Sequence, residues 1–208
     1  IKQFVKGTLA ENAPIIPVSA HQEINLDKIF EELSKIEIPQ RDSKADPVFM
    51  VARSFDINRP GTPLSNLHGG VLGGILKKGT LHVGDEIEIK PGKKVEKHGK
   101  TTWEPLHTKI VGLKTGKDDI EAAKPGGSIG VMTLLDPSVV KSDQLTGSLV
   151  GLKGKLPQTW NTLTLEPHLL QRVVGAKEEL NVNPIIKLEP LMLNVNSAAT
   201  VGIVDEVS

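Results

Sequence analysis

The chain has 208 residues, with 25 basic and 25 acidic side chains, an apolar fraction of 38% and no cysteine. That length allows one or two domains with a sizeable core, and the apolar fraction argues against disorder. The balanced charge excludes the overall positive field of a general nucleic-acid binder, and the missing cysteines exclude disulfides, thiolate metal sites and a cysteine nucleophile.

No apolar run approaches the length of a membrane span and no basic-plus-apolar leader opens the sequence, so no membrane partner is expected. The composition is compatible with a reducing, cytoplasmic setting. The chain opens at Ile1 inside an amphipathic segment and closes at Ser208 just after an apolar run, which reads as a fragment of a longer protein.

Residues Ala13 to Ala20 (APIIPVSA) are almost wholly apolar and predict a strand of a parallel sheet covered on both faces. Leu26, Ile29, Phe30, Leu33 and Ile36 then recur at helical spacing, with Asn25 as cap, Asp27 in the first turn and Pro39 as stop. Residues 1–40 therefore read as a short α/β piece, and the polar stretch 41–46 as a linker.

From 47 to 155 the pattern changes to short strands punctuated by Gly and Pro, expected near 48–54, 69–76, 80–90, 103–116, 127–133 and 145–152. This predicts a mainly β fold built on an antiparallel β-barrel. Between Leu67 and Lys90, Gly70, Gly74, Gly79 and Gly84 interrupt Val71, Ile75, Leu81, Val83, Ile87 and Ile89. Glycines inside strands mark bends or close backbone approach, and Val83, Ile87 and Ile89 share one parity. Pro91 and Gly92 open an excursion in which Lys90, Lys93, Lys94, Lys97 and Lys100 face one acid, Glu96, before Trp103.

From 156 to 208 the style changes again. Strand-like TLTLEPH at 162–168 leads to a basic segment around Arg172 and the helix-compatible AKEEL at 176–180. Strand-like LMLNV at 191–195 and VGIV at 201–204 follow. These strands are too few to close a second barrel.

The chemistry-bearing motifs are few. No GxxxxGK[ST] phosphate loop occurs, and the nearest string, GLKTGKD at Gly112 to Asp118, has the wrong spacing and ends in Asp. The six histidines lie far apart without metal-ligand spacing. Asp118 and Asp119, beside Lys117 and Glu121 on a glycine-flanked turn, read as a solvated charge cluster, because catalytic carboxylates need burial or opposing partners. No catalytic or metal-ligating residue is assigned.

The run Gly69 to Ile89, together with KIVGL at 109–113 and AAKPGGSIGV at 122–131, resembles the second domain of translational GTPases such as elongation factor Tu. Within that superfamily, RSFDINRPGT at 53–62, LDPS at 135–138 and LLQRVVGAKEE at 169–179 resemble the gamma subunits of archaeal translation initiation factor 2. The resemblance implies a GTP-binding domain followed by two β-barrels. Residues 1–40 would be the tail of the first, 47–155 the second-domain barrel and 156–208 an incomplete third domain. It implies translation initiation as the function, and GTP and Mg2+ as cofactors of the whole protein. The implied partners are the alpha and beta subunits, methionyl initiator tRNA and the small ribosomal subunit.

Residue by residue, the resemblance puts Ser19 and Ala20 in the last guanine-recognition element. The phosphate loop, both switch regions and the Asn-Lys-x-Asp motif have no counterpart, so GTP hydrolysis is not expected of these residues alone. Val71, with Gly69 and Gly70, would form the wall beneath the terminal adenosine of tRNA, and Arg53 and Lys114 would supply charge near its backbone. Lys93, Lys94, Lys97 and Trp103 would help to dock the alpha subunit. The residues themselves leave other readings open. Val71 fits a barrel core, Arg53 a pair with a local carboxylate and the lysine run a solvated hairpin; Arg172 fits either a contact with the GTP domain or tRNA or a structural pair. The alternative function is that of another translational GTPase, elongation or selenocysteine-specific, or of an unrelated β-barrel interaction module. The strings RSFDINRPG and LDPS argue against both.

Overall fold

Apolar residues alternating along six segments close a β-barrel in this computed structural model, which describes residues 1–97, 100–170, 173 and 180–207. The Lys97 side chain, Arg172 and most of the string at 169–179 lie outside the described residues. Two compact units are present. One comprises Ile1–Gln40, Thr162–Glu189 and Val204–Ser208, the other Arg41–Asn161 and Pro190–Ile203.

The first unit holds the short helix α1 (Lys2–Val5) and α2 (Leu26–Ser34). Ion pairs Lys28–Glu31 at 2.9 Å and Lys35–Glu32 at 2.7 Å run along the polar side of α2. Its apolar side, Ile29, Leu33 and Ile36, lines a groove with Pro14 and Ile16. Asn25 stands at the N-cap but in the left-handed conformation, and its amide donates to the Pro17 carbonyl at 2.8 Å instead of capping. The strand expected over 13–20 does not form. A strand needs a neighbour to complete its ladder, and these residues make only the isolated bridge Ser19–Ile24. Residues 162–168 likewise stay irregular, with Leu163 and Leu165 exposed.

The second unit contains β1 (Val48–Phe55), β2 (Val71–Lys78), β3 (Leu81–His82), β4 (Glu86–Lys97), β5 (Lys100–Thr115), β6 (Asp118–Ile120), β7 (Ala122–Ala123) and β8 (Ser128–Thr133). The chain continues through α3 (Pro137–Val140), β9 (Leu149–Leu152), β10 (Pro190–Val195) and β11 (Ala198–Ile203). The order β4-β9-β1-β2-β8-β5 closes on itself through β4–β5, and every pairing is antiparallel. The expected mainly β barrel is therefore what forms. Its interior holds Phe49, Val51, Leu72, Leu76, Ile87, Ile89, Ile110, Leu113, Val131 and Val150, all 0–1% exposed. Each such Leu, Ile or Phe contributes about 1.5–3 kcal/mol relative to an exposed position. β10 and β11 form a separate antiparallel hairpin.

Three irregularities shape the ring. β1 gains a residue between Val51 and Arg53, so Ala52 and Arg53 both face outward while Ser54 returns to the interior at 1% exposed. β5 does the same between Ile110 and Gly112, where Val111 is 45% exposed. β4 shifts between Ile89 and Lys93, with Gly92 at φ +87°, and then continues with β5 as a two-stranded ribbon. The excursion expected after Lys90 is thus an extension of both strands.

Candidate nucleic-acid interface

Cross-strand register assembles a row on the outer face of the barrel. Arg53 on β1 lies opposite Gly73 on β2, Gly73 opposite Gly130 on β8, and Gly130 opposite Lys114 on β5. Two glycines are thereby flanked by two cations, across three interstrand steps or about 14 Å. Each bulge, in β1 and in β5, absorbs one extra residue ahead of its cation, so that the cation keeps its outward place in the register. The next outward row is Phe55, Val71 and Met132, with Gly112 beside the Met132 sulfur. The Phe55 ring, 40% exposed, lies 3.7 Å from where a Cβ on Gly73 would stand. Backbone without side chains, an aromatic ring and two flanking cations can accept a flat base and its phosphates.

Both cations have carboxylate partners. Arg53 Nε donates to the two Asp143 oxygens at 2.9 and 3.0 Å, and Asp143 Oδ1 also accepts the Ser54 N–H at 3.0 Å. Asp143 hydrogen bonds from Arg53, then from the Ser54 backbone, hold its carboxyl below the usual carboxylate range, and the same pair raises the Arg53 value. Lys114 Nζ meets Asp119 at 2.6 Å, the lysine half-buried and the aspartate exposed. Asp119, read from sequence as part of a solvated cluster, is 78% exposed and makes a surface pair with Lys114.

The other expected site residues fall as follows. Val71 shares the outward parity of Gly73 and is 6% exposed. Gly69 and Gly70 lie under the neighbouring chain: a Cβ on Gly69 would meet the Thr133 carbonyl oxygen, and one on Gly70 would meet the Val140 side chain. Close packing alone requires glycine at both. Lys93 and Lys94 are exposed on the ribbon opposite Glu104 and Trp103, and Trp103 is 44% exposed. Ser19 and Ala20 lie in the other unit. The N–H and carbonyl of Ser19 both bond Ile24, at 3.2 and 3.1 Å, and its hydroxyl accepts the Gln22 N–H at 3.3 Å. With no phosphate-loop string in the sequence, the residues present do not by themselves fit GTP and Mg2+. Among the described residues no cluster of three His, Cys, Asp or Glu could hold a metal, and no helix is long and apolar enough to cross a membrane.

Sequence reasoning missed Phe55, Gly73, Gly130, Met132 and Asp143. Phe55 stands two residues after Arg53 in the motif already singled out, which is the period of a strand face. Gly73, Gly130 and Met132 depend on register between strands distant in sequence, and Asp143 on a turn after α3 that hydrogen-bonds back to β1.

The barrel fold has a counterpart in a solved structure. It superposes on translation elongation factor SelB from Methanococcus maripaludis in the apo form with a TM-score of 0.53 and 23% identity, covering 73% of this chain and 30% of that one. The same factor in complex with the GTP analogue GPPNHP gives 0.54 and 23%, covering 73% of this chain and 29% of that one. Residues 161–208 match the family described as initiation factor eIF2 gamma, C terminal. Translation initiation factor 2 subunit gamma of Methanocaldococcus jannaschii is 55% identical over 205 residues, and that of Pyrococcus furiosus 52% identical. The chain belongs to this gamma-subunit family. The alignments cover 98% of it and 50% of each relative, so it spans about half the length of the curated relatives it matches.

Proposed function

We propose that this chain is part of a translation initiation factor that carries methionyl initiator tRNA to the small ribosomal subunit in a GTP-dependent way. Residues 1–40 would be the tail of the GTP-binding domain, 47–155 the second-domain barrel and 156–208 part of the third domain. Its contribution would be binding surface rather than hydrolysis: the acceptor end of tRNA on the outer barrel face, and the alpha subunit on the lysine ribbon. GTP and Mg2+ would belong to the longer protein, which would also pair with the beta subunit.

The observation that carries this reading is the row Arg53–Gly73–Gly130–Lys114, with Phe55 over its floor. Glycine lets a base approach the backbone, the ring offers a stacking surface, and two cations spaced across the strip meet a phosphate chain. Fluorescence anisotropy with a labelled single-stranded RNA ending in CCA tests it. Arg53→Gln should weaken binding about tenfold or more. Lys114→Gln should reduce the slope of log affinity against log salt by about 0.7, the value of one single-strand phosphate contact. Unchanged affinity and slope in both variants would remove the interface from this face.

A further inference from the structure

We infer that Asp143 is the positioning residue that aims the Arg53 guanidinium along the glycine row, an inference that rests on the reading of that row as an RNA interface. Both Asp143 oxygens accept from Nε, the nitrogen nearest the side-chain stem. Holding Nε fixes the direction of the planar group and leaves four N–H donors on the two terminal nitrogens. Among the described residues neither terminal nitrogen has a hydrogen-bond partner, and the side chain is 69% exposed. A phosphate can therefore engage the outer edge of the guanidinium while Asp143 keeps the inner one.

The turn that carries Asp143 is itself held. Ser54, 1% exposed, donates its hydroxyl to the Val140 carbonyl at 2.9 Å and accepts the Leu145 N–H at 3.1 Å, while its own N–H goes to Asp143. Ser142 and Asp143 are both left-handed, at φ 56° and 60°. Two consecutive non-glycine residues keep that conformation where their surroundings over-determine it. Here the surroundings are the hydrogen bonds that deliver one carboxylate to one guanidinium. Lys114 and Asp119 make the contrast. Asp119 is 78% exposed and, among the described residues, no backbone group donates to its carboxylate, so that pair is an ordinary surface pair.

The sign of one substitution decides the matter. Asp143→Asn keeps an oxygen for the Ser54 N–H and loses the ion pair. If Asp143 positions Arg53, the variant binds the CCA-ended RNA about tenfold more weakly. It should then add nothing to Arg53→Gln in a double-mutant cycle, and the protected Arg53 Nε–H resonance should disappear while the urea midpoint stays near wild type. Tighter binding would mean that Asp143 competes with the ligand, and an equal loss in both backgrounds would mean a purely structural part. Either result overturns the inference. If wild type binds and Arg53→Gln weakens it while Asp143→Asn does not, the interface stands and only the positioning falls. If wild type does not bind, the interface reading falls and this inference with it.

Discussion

Gly69 and Gly73, four positions apart, are glycine for opposite reasons. At Gly69 a Cβ would occupy the space of the Thr133 carbonyl oxygen, and strands joined by the Thr133 N–H to Gly70 carbonyl bond of 3.1 Å would have to separate. Gly69→Ala is expected to cost about 1–3 kcal/mol, read as a lower urea midpoint at constant m. At Gly73 a Cβ would stand 3.7 Å from Arg53 Cβ and the Phe55 ring, which is ordinary contact. Gly73→Ala should leave stability unchanged or raise it by about 0.5 kcal/mol, through a less flexible unfolded chain. RNA affinity should nevertheless fall, because the methyl group lifts a base off the backbone. An alanine without effect on RNA would place the floor elsewhere. Arg53, Lys114 and Val71 were legible in the sequence because each sits in or beside a recognisable string. Gly73 was not singled out there, since its importance comes from facing Gly130 and Arg53 across strands.

Among the elements, β4 does more than its pattern suggests. Ile87 and Ile89 point inward as their parity predicts, and Glu88 between them points outward yet is only 3% exposed. Its carboxylate accepts the Leu156 N–H at 2.8 Å, and Lys90 beside it donates to the Leu156 and Pro157 carbonyls at 3.1 and 3.2 Å. The two residues clasp the segment by which the chain leaves the barrel. Burial pushes the Glu88 carboxyl up, but the Leu156 and Gly154 N–H groups and Lys90 pull it down further, so it lies below its ordinary value. The unfolded chain then binds this proton more readily than the folded one. The stabilisation is present above the ordinary glutamate value of about 4.3 and is lost as pH falls below it through the folded value. Glu88→Gln should lower stability at pH 7 and flatten the acid limb of a urea-midpoint profile; an unchanged acid limb would assign that limb to other carboxylates. The barrel strands themselves were legible from alternation and punctuation. The ribbon beyond Lys90 was not, because Pro91 and Gly92 look like a stop, whereas Gly92 supports a bulge and the ladder resumes at Lys93. The stretch 13–20 failed in the opposite sense: its composition suits a strand, but a ladder also needs a second strand.

For the molecule as a whole, the family likeness reaches across 98% of the chain, while the proposed interface occupies one outer face of one barrel. A neutral chain confines any RNA contact to such local arrangements, as its 25 basic and 25 acidic residues imply. The lysine ribbon is a second local concentration, proposed to meet the alpha subunit. Replacing Lys93, Lys94 and Lys97 together with alanine should slow association with a recombinant alpha subunit about tenfold at low salt and flatten its salt dependence, with little change in the dissociation rate. Equal association rates in surface plasmon resonance would leave the ribbon a solvated hairpin.

The extra residues in β1 and β5 have a consequence for how this face tolerates change. Each acts as a phase shift in a two-beat pattern, and everything after it inherits the new phase. Exchanging Ala52 for another small residue would leave the beat intact. Deleting it would make Val51 opposite Gly74 and Arg53 opposite Gly73 successive pairs of a regular ladder, with Arg53 still outward and Ser54 still inward. The row therefore survives the loss of either extra residue, whereas one more residue ahead of Arg53, with no bulge to absorb it, would turn the arginine inward.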